Sequence, residues 1–305
     1  MELVIRKPNV SILQATVKFL NSAKPSSVLF EGDRVSKNEF DKLSAELKGV
    51  MFSPTSGLIE SLREIKDRNE IALICRAIQI AEKAFVGLRQ LLGGSTGSEV
   101  RTSQMTEKQV ADALEIQMRL HGAISSSFRT IVGVGPRAAL PHGMPSERRL
   151  SESPFVLIDW GAREGQYVSD LTRVLITGAL PPRINRIYHT VLAAQEAAIR
   201  AIQPGTLLSA IDETARSVIA GAGLGKNFTH GLGHGFGLQV HESIRMSKGQ
   251  DRPLKVGMVV TVEPGIYLPG IGGVRIEDDV LVTRDGCRLL STLPRDLESN
   301  RQCIT

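Results

Sequence analysis

The order of helices and strands is the feature that most constrains the fold, because two helical segments followed by apolar strands occur twice along the chain. In the first copy, SLREIKDRNEIALICRAIQIAEKAFVGLRQLL and TEKQVADALEIQMRL precede the strand-like FRTIVGVG, PFVLIDWGA and YVSDLTRVLITG. In the second copy, PPRINRIYHTVLAAQEAAIRAIQ and LLSAIDETARSVIAGAG precede LKVGMVVTVEPGIYL and GGVRIEDDVLVT. Amphipathic helices bury their apolar faces well against such a sheet. The repeat predicts an α+β fold with duplicated helix-helix-strand halves.

The N-terminal segment stands apart from this repeat. It contains an apolar run, SSVLFEG, a helical stretch, NEFDKLSAELKG, and a turn-rich FSPTSG. A segment of this size is too short to bury much core of its own. We therefore divide the chain into an N-terminal segment, residues 1–62, and a larger domain, residues 63–305.

Composition argues against several classes of function. The net charge of +5 comes from scattered Lys and Arg residues, and only 4% of the chain is aromatic, unlike a nucleic-acid-binding protein. Apolar runs stay well short of the roughly 18 residues of a membrane span, and Arg6, Lys7 and Lys18 interrupt the N-terminal stretch, unlike a signal peptide. The three cysteines are widely spaced and suggest no disulfide framework. We expect a cytoplasmic protein that binds neither nucleic acid nor a membrane.

Two aspartates flank the turn of the first predicted hairpin. Asp159 and Asp170 are equidistant from the centre of the dipeptide Glu164-Gly165, so a two-residue loop there makes them direct cross-strand neighbours. Directly opposed Cβ atoms lie about 4.5 to 5.5 Å apart, and like charges so placed are destabilising without a cation. A metal ion would supply that cation.

The second predicted hairpin repeats this arrangement with glutamates. Glu263 and Glu277 are equidistant from Gly270, inside the turn PGIGG. Both acidic pairs lie among apolar residues, as in VLIDW and VTVEPGI. A single acid of this kind is usually an edge-strand or ion-paired residue. Four in mirrored hairpins indicate buried carboxylates, which must be paired, protonated or metal-bound.

A glycine-rich segment, THGLGHGFGLQVHES, contains three of the candidate histidines, His230, His234 and His241. Its glycines disfavour a helix and it has no HExxH motif, so a helical zinc site is not indicated. We expect these histidines on a strand or loop whose backbone approaches another segment closely. His142, in the proline-bracketed LPHGMP, is a further candidate.

Together these segments resemble the pita-bread metallopeptidases of family M24, in the branch of Xaa-Pro dipeptidase (prolidase) and aminopeptidase P. The resemblance runs from about Phe52 to Thr292 and is carried by LIDWGAREGQYVSDLTRV, THGLGHGFGLQVHE, VVTVEPGIY and GVRIEDDVLV. Five candidate ligands in the family's order are far more specific than any one motif. The resemblance implies a pita-bread fold, in which the two halves surround a curved antiparallel sheet.

The resemblance also implies the roles of the five acids and histidines. Asp159 would bind one metal ion, Asp170 and Glu277 would bridge two ions, and His234 with Glu263 would complete the second. Glu263 would also be the general base.

Substrate contacts follow in the same way. His142 and His241 would contact substrate and move protons, and His230 would lie in the same cleft. Arg275 and Thr172 share a face with the ligands and would support them, with Arg275 also near the substrate.

The resemblance implies a peptide substrate with proline at the second position. An X-Pro bond is a tertiary amide without the N–H that ordinary proteases read, so the cleft must accept the ring. Four carboxylates and one imidazole favour two Mn²⁺ ions per chain, whereas the general affinity order favours Co²⁺ or Zn²⁺. A homodimer is a possible assembly.

The N-terminal segment departs from the family's pattern, because about 60 residues stand where the family carries a full substrate-shaping domain. We interpret them as a shortened remnant of a creatinase-type N-domain. Three alternatives stay open: a methionine aminopeptidase-like enzyme, a creatinase-like hydrolase, and a metal-free binding protein on the same scaffold. Cleavage of Met-Ala but not X-Pro peptides would favour the first, and absence of bound metal would favour the last.

Overall fold

The computed structural model describes residues 5–94 and 101–305 of the chain. Residues 1–4, part of the N-terminal stretch considered above, lie outside the described residues. Contacts separate two units, and the division falls between Ser61 and Leu62. Within the described ranges, no helix has both the length and the apolar character needed to cross a membrane.

The N-terminal unit pairs two short strands with two helices. Its elements are α1 (Ile12–Ala23), β1 (Ser27–Glu31), α2 (Lys37–Glu46) and β2 (Met51–Thr55). Strands β1 and β2 run parallel. The helix predicted at NEFDKLSAELKG is confirmed, and the apolar run SSVLFEG contains β1.

The turn-rich interpretation of FSPTSG is wrong, because its first residues belong to β2. The sheet has two strands, so β2 has one free edge. Pro54, which has no N–H, is tolerated in such an edge strand because it removes no ladder hydrogen bond there. Phe30 stacks on Phe40 at 4.7 Å between ring centroids, and Phe52 packs edge-on against both. Leu47 is the only buried residue among residues 5–61. The small core agrees with the expectation from length.

The larger unit contains the predicted repeat. Its helices are α3 (Leu58–Arg63), which contains the point of division, α4 (Arg68–Leu92), α5 (Glu107–Leu120), α6 (Pro182–Ala201) and α7 (Leu208–Gly221). Its strands are β3 (Ser125–Ser126), β4 (Ile131–Val134), β5 (Phe155–Trp160), β6 (Ala162–Glu164), β7 (Tyr167–Val168), β8 (Leu171–Ile176), β9 (Gly233–His234), β10 (Arg245–Met246), β11 (Val259–Val262), β12 (Gly265–Leu268), β13 (Gly272–Arg275), β14 (Asp278–Thr283) and β15 (Gly286–Leu289).

Capping boxes begin the helices of the first half. Asp67 accepts hydrogen bonds from the amides of Asn69 and Glu70, while the Glu70 carboxylate accepts from the Asp67 amide. Thr106 and Gln109 make the same reciprocal pair at the start of α5. Each pair satisfies amides that a helix start leaves free, so the helices begin where the sequence predicts.

The sheet of the larger unit is built from short antiparallel pieces that meet at the acidic residues. One piece has the order β4-β5-β8, another β11-β14-β15, and β9 pairs with β10. A bridge between Thr172 and Glu277 joins the first two pieces, and a bridge between Gly235 and Val260 adds the third. The piecewise pairing brings β5, β9, β11 and β14 around one centre.

Helices cover the sheet in two pairs. Strand β5 is buried on both faces: Val156, Ile158 and Trp160 belong to the core under α4 and α5, while Phe155 and Leu157 belong to the core under α6 and α7. Because side chains alternate along a strand, Asp159 shares the face of Phe155 and Leu157. The fold therefore directs this carboxylate between the two halves.

The predicted register of the first hairpin is wrong. Asp159 lies opposite Thr172 rather than Asp170, because the turn is centred on Gly165-Gln166, one residue later than expected. Gly165 has a φ of 58°, a left-handed conformation that favours glycine inside the turn. Asp170 is two residues from Thr172, so the two aspartates still share a face as diagonal neighbours.

The predicted register of the second hairpin is confirmed. Gly265 pairs with Arg275 in β12 and β13, and Val262 pairs with Asp278 in β11 and β14. Both ladders follow the same register, which sets Glu263 opposite Glu277.

Candidate metal centre

A cavity of about 570 Å³ lies where the sheet pieces meet. It is lined by all nine site residues expected from the sequence: Asp159, Asp170, His234, Glu263, Glu277, His142, His230, His241 and Arg275. Residues that lie far apart in the sequence therefore share one cleft.

Three of the expected ligands form a tight group that can hold a metal ion. Asp170, His234 and Glu277 each offer one ligand atom, and these atoms lie within 4.8 Å of one another. The Nε2 atom of His234 is 3.7 Å from Oδ2 of Asp170 and 3.3 Å from Oε1 of Glu263. Asp159 lies outside this tight group but lines the same cavity.

The carboxylates of the centre repel one another and need a compensating positive charge. Burial raises the pKa of Asp170 well above its usual value, and the Glu277, Asp159 and Glu263 carboxylates raise it further. Burial likewise raises the pKa of Glu277, with Glu263 and Asp159 adding to the shift, and burial raises the pKa of Glu263 to about 7. Like charges held this close are costly without a compensating positive charge.

One oxygen of Asp159 has no partner. Its Oδ2 atom accepts a hydrogen bond of 2.6 Å from Nη2 of Arg275, but its Oδ1 atom is buried without a hydrogen-bond partner among the described residues. An orphaned buried carboxylate oxygen is expensive, and a metal ion would satisfy it. The donor set, hard oxygens with one imidazole nitrogen, suits a divalent first-row ion.

His234 is held in the form that binds metals. Burial lowers its pKa to about 3, so the ring is neutral at physiological pH. Its backbone amide donates to Oγ1 of Thr261 at 3.1 Å. At Gly233 a Cβ atom would lie 2.1 Å from the Thr261 carbonyl oxygen, so only glycine lets β9 approach β11 this closely. The expected close backbone approach of the glycine-rich segment is confirmed.

Arg275 organises the carboxylates rather than facing open solvent, since it is only 3% exposed. Besides Asp159, its Nε atom donates to Oγ1 of Thr172 at 3.1 Å and its Nη1 atom to the Tyr267 hydroxyl at 2.8 Å. Thr172 in turn donates to Oε2 of Glu277 at 2.6 Å. Asp159 and Glu277 are thereby held through one guanidinium and one hydroxyl.

The histidines differ in their surroundings. His230 contacts the Tyr267 hydroxyl through Nε2 at 2.8 Å, and burial lowers its pKa to about 4. The His241 ring lies edge-on to the His234 ring with centroids 4.3 Å apart. The His241 side chain is exposed and lines the cavity. His142 lines the cavity from another loop.

Sequence reasoning missed Arg245, which lines the cavity, and Tyr267, whose hydroxyl contacts Arg275 and His230. Tyr267 could have been found, because alternation from Glu263 through Gly265 puts it on the ligand face. Arg245 lies directly across β9–β10 from His234, which no local pattern predicts. Its guanidinium lines the cavity and has no carboxylate within salt-bridge distance among residues 5–94 and 101–305.

Comparison with known proteins places the chain, rather than any single residue of the centre, in a defined class, that of the pita-bread metallopeptidases. Residues 72–284 match the family described as metallopeptidase family M24. An Xaa-Pro dipeptidase from Pyrococcus furiosus is 41% identical over 246 residues, which cover 81% of this chain and 68% of that protein.

Solved structures agree with the sequence comparison. An X-Pro aminopeptidase from Thermotoga maritima superposes with a TM-score of 0.88 at 36% identity, covering 98% of this chain and 81% of that one. An Xaa-Pro dipeptidase from Bacillus anthracis gives 0.87 at 37% identity, covering 95% and 79%. The chain belongs to metallopeptidase family M24 and has its pita-bread fold, as the sequence predicted.

Proposed function

We propose that this chain is a metal-dependent exopeptidase that hydrolyses X-Pro peptide bonds. The observation that carries the proposal is the convergence of three buried carboxylates, the partly buried carboxylate of Glu263 and a neutral imidazole on one open cavity. The relatives named above act, by their names, on X-Pro peptides or dipeptides. A metal-free binding protein would not need the orphaned Asp159 oxygen or the mutually repelling carboxylates.

Five residues would hold two divalent ions, with Mn²⁺ as the first candidate and Co²⁺ or Zn²⁺ as the others. These residues would be Asp159, Asp170, His234, Glu263 and Glu277, among which Asp170, His234 and Glu277 form the tightest group. Two such ions, when bound, acidify a water molecule and polarise the scissile carbonyl.

The protein's own groups would move the protons. Glu263 lies at the cavity wall, where it would accept the proton of the attacking water. Water adds its oxygen to the carbonyl carbon, the C–N bond breaks, and the proline nitrogen leaves as a secondary amine. His241 and His142 face the cleft and would donate the proton that this nitrogen needs.

Recognition of the substrate would use the cleft's shape and its cations. Proline presents no N–H at the scissile bond, so the cavity must accept its ring instead of bonding that nitrogen. Arg245, whose guanidinium faces the cavity without a carboxylate partner in the described part of the chain, would bind the carboxylate of a short peptide. We infer that this favours dipeptides over longer chains.

A substrate panel tests the proposal. The purified protein is stripped of metal, loaded in turn with Mn²⁺, Co²⁺ and Zn²⁺, and assayed on Ala-Pro, Ala-Pro-Ala and Met-Ala. We expect two ions per chain and cleavage of X-Pro bonds, fastest on the dipeptide. Cleavage of Met-Ala alone would establish the methionine aminopeptidase alternative instead.

Replacing Arg245 tests the preference for dipeptides. Arg245→Gln should raise the KM for Ala-Pro much more than the KM for Ala-Pro-Ala. In Ala-Pro the free carboxylate belongs to the proline itself, whereas in Ala-Pro-Ala it lies one residue further from the scissile bond. Equal changes for both peptides would contradict this role.

A further inference from the structure

Residues 63–66, which lie just before the N-cap of α4 at Asp67, contact the C-terminal end of the glycine-rich segment. Arg63 donates from Nη2 to Oε1 of Glu242 at 2.6 Å and to Gln239 at 3.3 Å. Glu64 accepts from the Ser243 hydroxyl at 2.6 Å. We call residues 63–66 the clamp and residues 238–245 the cleft loop.

The central contact of the clamp is a buried ion pair. Nζ of Lys66 donates to Oε2 of Glu242 at 2.9 Å, and the two side chains are only 2% and 3% exposed. The other oxygen of Glu242 also accepts from the Leu238 amide at 3.0 Å, so the carboxylate closes the cleft loop on itself. At Gly237 a Cβ atom would lie 3.0 Å from the Lys66 side chain, which leaves little room for any other residue.

The clamp is itself anchored. The Lys66 amide donates to the Gly257 carbonyl at 2.9 Å, and Ile65 forms a bridge with Met258 just before β11. The Glu64 carboxylate also pairs with Arg252 at 2.6 Å. The clamp is therefore fixed to the strand that leads to Glu263.

The cleft loop alternates between the clamp and the cavity. Glu242 and Ile244 are buried, whereas His241 and Arg245 are exposed and line the cavity. Nη1 of Arg245 donates to the Glu242 carbonyl oxygen at 2.8 Å. Both cavity-facing side chains thus depend on where Glu242 is held.

We propose that Lys66 and Arg63 are positioning residues, which act through Glu242 to fix His241 and Arg245 against the substrate. The inference rests on the proposed X-Pro peptidase activity. A buried ion pair adds little net stability compared with apolar side chains of similar size. Its benefit here is geometric, because two charges and several donors define a single position for the cleft loop.

Lys66→Met tests the proposal, with Lys108→Met as the matched control. Lys108 also pairs with a carboxylate, Asp112, but on an exposed helix surface away from the cavity. A double variant, Lys66→Met with Glu242→Gln, also removes the buried carboxylate charge, which Lys66→Met alone would leave with Arg63 as its cationic partner. Each protein is measured for bound metal, melting temperature, kinetics on Ala-Pro and amide hydrogen exchange.

We expect Lys66→Met to keep its metal but to lose about 10²-fold in kcat/KM, since a displacement of about 1 Å can cost this much. Hydrogen exchange should accelerate in the cleft loop and stay unchanged in α6 and α7. The double variant should regain melting temperature but not kcat/KM, with KM raised. Lys108→Met should match the unaltered protein.

Two results would overturn the positioning role: full recovery of kcat/KM in the double variant, or unchanged exchange in the cleft loop of Lys66→Met. Failure of the unaltered, metal-loaded protein to cleave Ala-Pro would instead overturn the proposed function, while hydrogen exchange would still decide whether the clamp fixes the loop.

Discussion

Replacing Asp170 with asparagine should change stability in opposite directions with and without metal. The Asp170 carboxylate makes no hydrogen bond to another described residue, and its neighbours besides the His234 ring are carboxylates, whose repulsion adds to burial in raising its pKa. Asparagine has the same shape but no charge. Without metal the substitution removes repulsion, whereas with metal it removes a shared ligand.

The size of the effect follows from the distances. The ligand atoms of Asp170 and Glu277 lie within 4.8 Å, and two unit charges at that separation repel by about 3 kcal/mol at an effective dielectric constant of about 20. Protonation of one carboxylate would reduce this repulsion, so about 3 kcal/mol is its upper limit. At about 2 to 4 °C per kcal/mol in a domain of this size, the metal-free variant should melt up to about 12 °C higher. Metal at 100 times its Kd stabilises by about 2.7 kcal/mol per site, which is about 5 to 11 °C.

Scanning calorimetry in EDTA and in Mn²⁺ measures both effects. We expect Asp170→Asn to melt above the unaltered protein in EDTA and to lose most of the Mn²⁺-induced rise. Asp112→Asn is the matched control, because Asp112 is an exposed aspartate paired with Lys108, and it should keep the full metal response. A lower melting temperature of Asp170→Asn in EDTA, or an undiminished response to Mn²⁺, would refute the reasoning.

Three further predictions test two residues of the centre and one residue of the clamp. Tyr267→Phe removes the hydroxyl that accepts from Arg275, and leaving that buried donor unpaired should cost about 1 to 3 kcal/mol in denaturant unfolding, with metal content unchanged. Gly233→Ala would place a Cβ atom 2.1 Å from a β11 carbonyl oxygen, so we expect β9 to be displaced and metal binding to weaken in titration calorimetry. Burial pushes the pKa of Glu64 up, but hydrogen bonds, chiefly from Arg252, outweigh it and hold that pKa below 4.5. A lowered folded-state pKa adds stability above the unfolded value and loses it as pH falls through the folded value, so Glu64→Gln should flatten the decline of melting temperature below about pH 4.5. An unchanged acid profile would contradict the last prediction.

The sequence alone was enough to find the carboxylates and the imidazole of the centre. Asp159 and Glu263 stand in sequence segments that are otherwise apolar and strand-like, and an acid in such a place needs a physical reason. Alternation along a strand and symmetry about a glycine-containing turn are local properties, so they can be read from a few residues. The same local logic predicted the helices, because caps such as Asp67 with Glu70 lie within one turn.

Tertiary structure decided the features that depend on distant segments. The first hairpin turned one residue later than symmetry suggested, so Asp159 faces Thr172 and meets Asp170 on the diagonal. The pairing of Lys66 with Glu242 joins residues 176 positions apart, and the position of Arg245 opposite His234 depends on how β10 folds back on β9. Such contacts follow from packing the whole sheet, because no local preference encodes which distant partner a buried charge will meet.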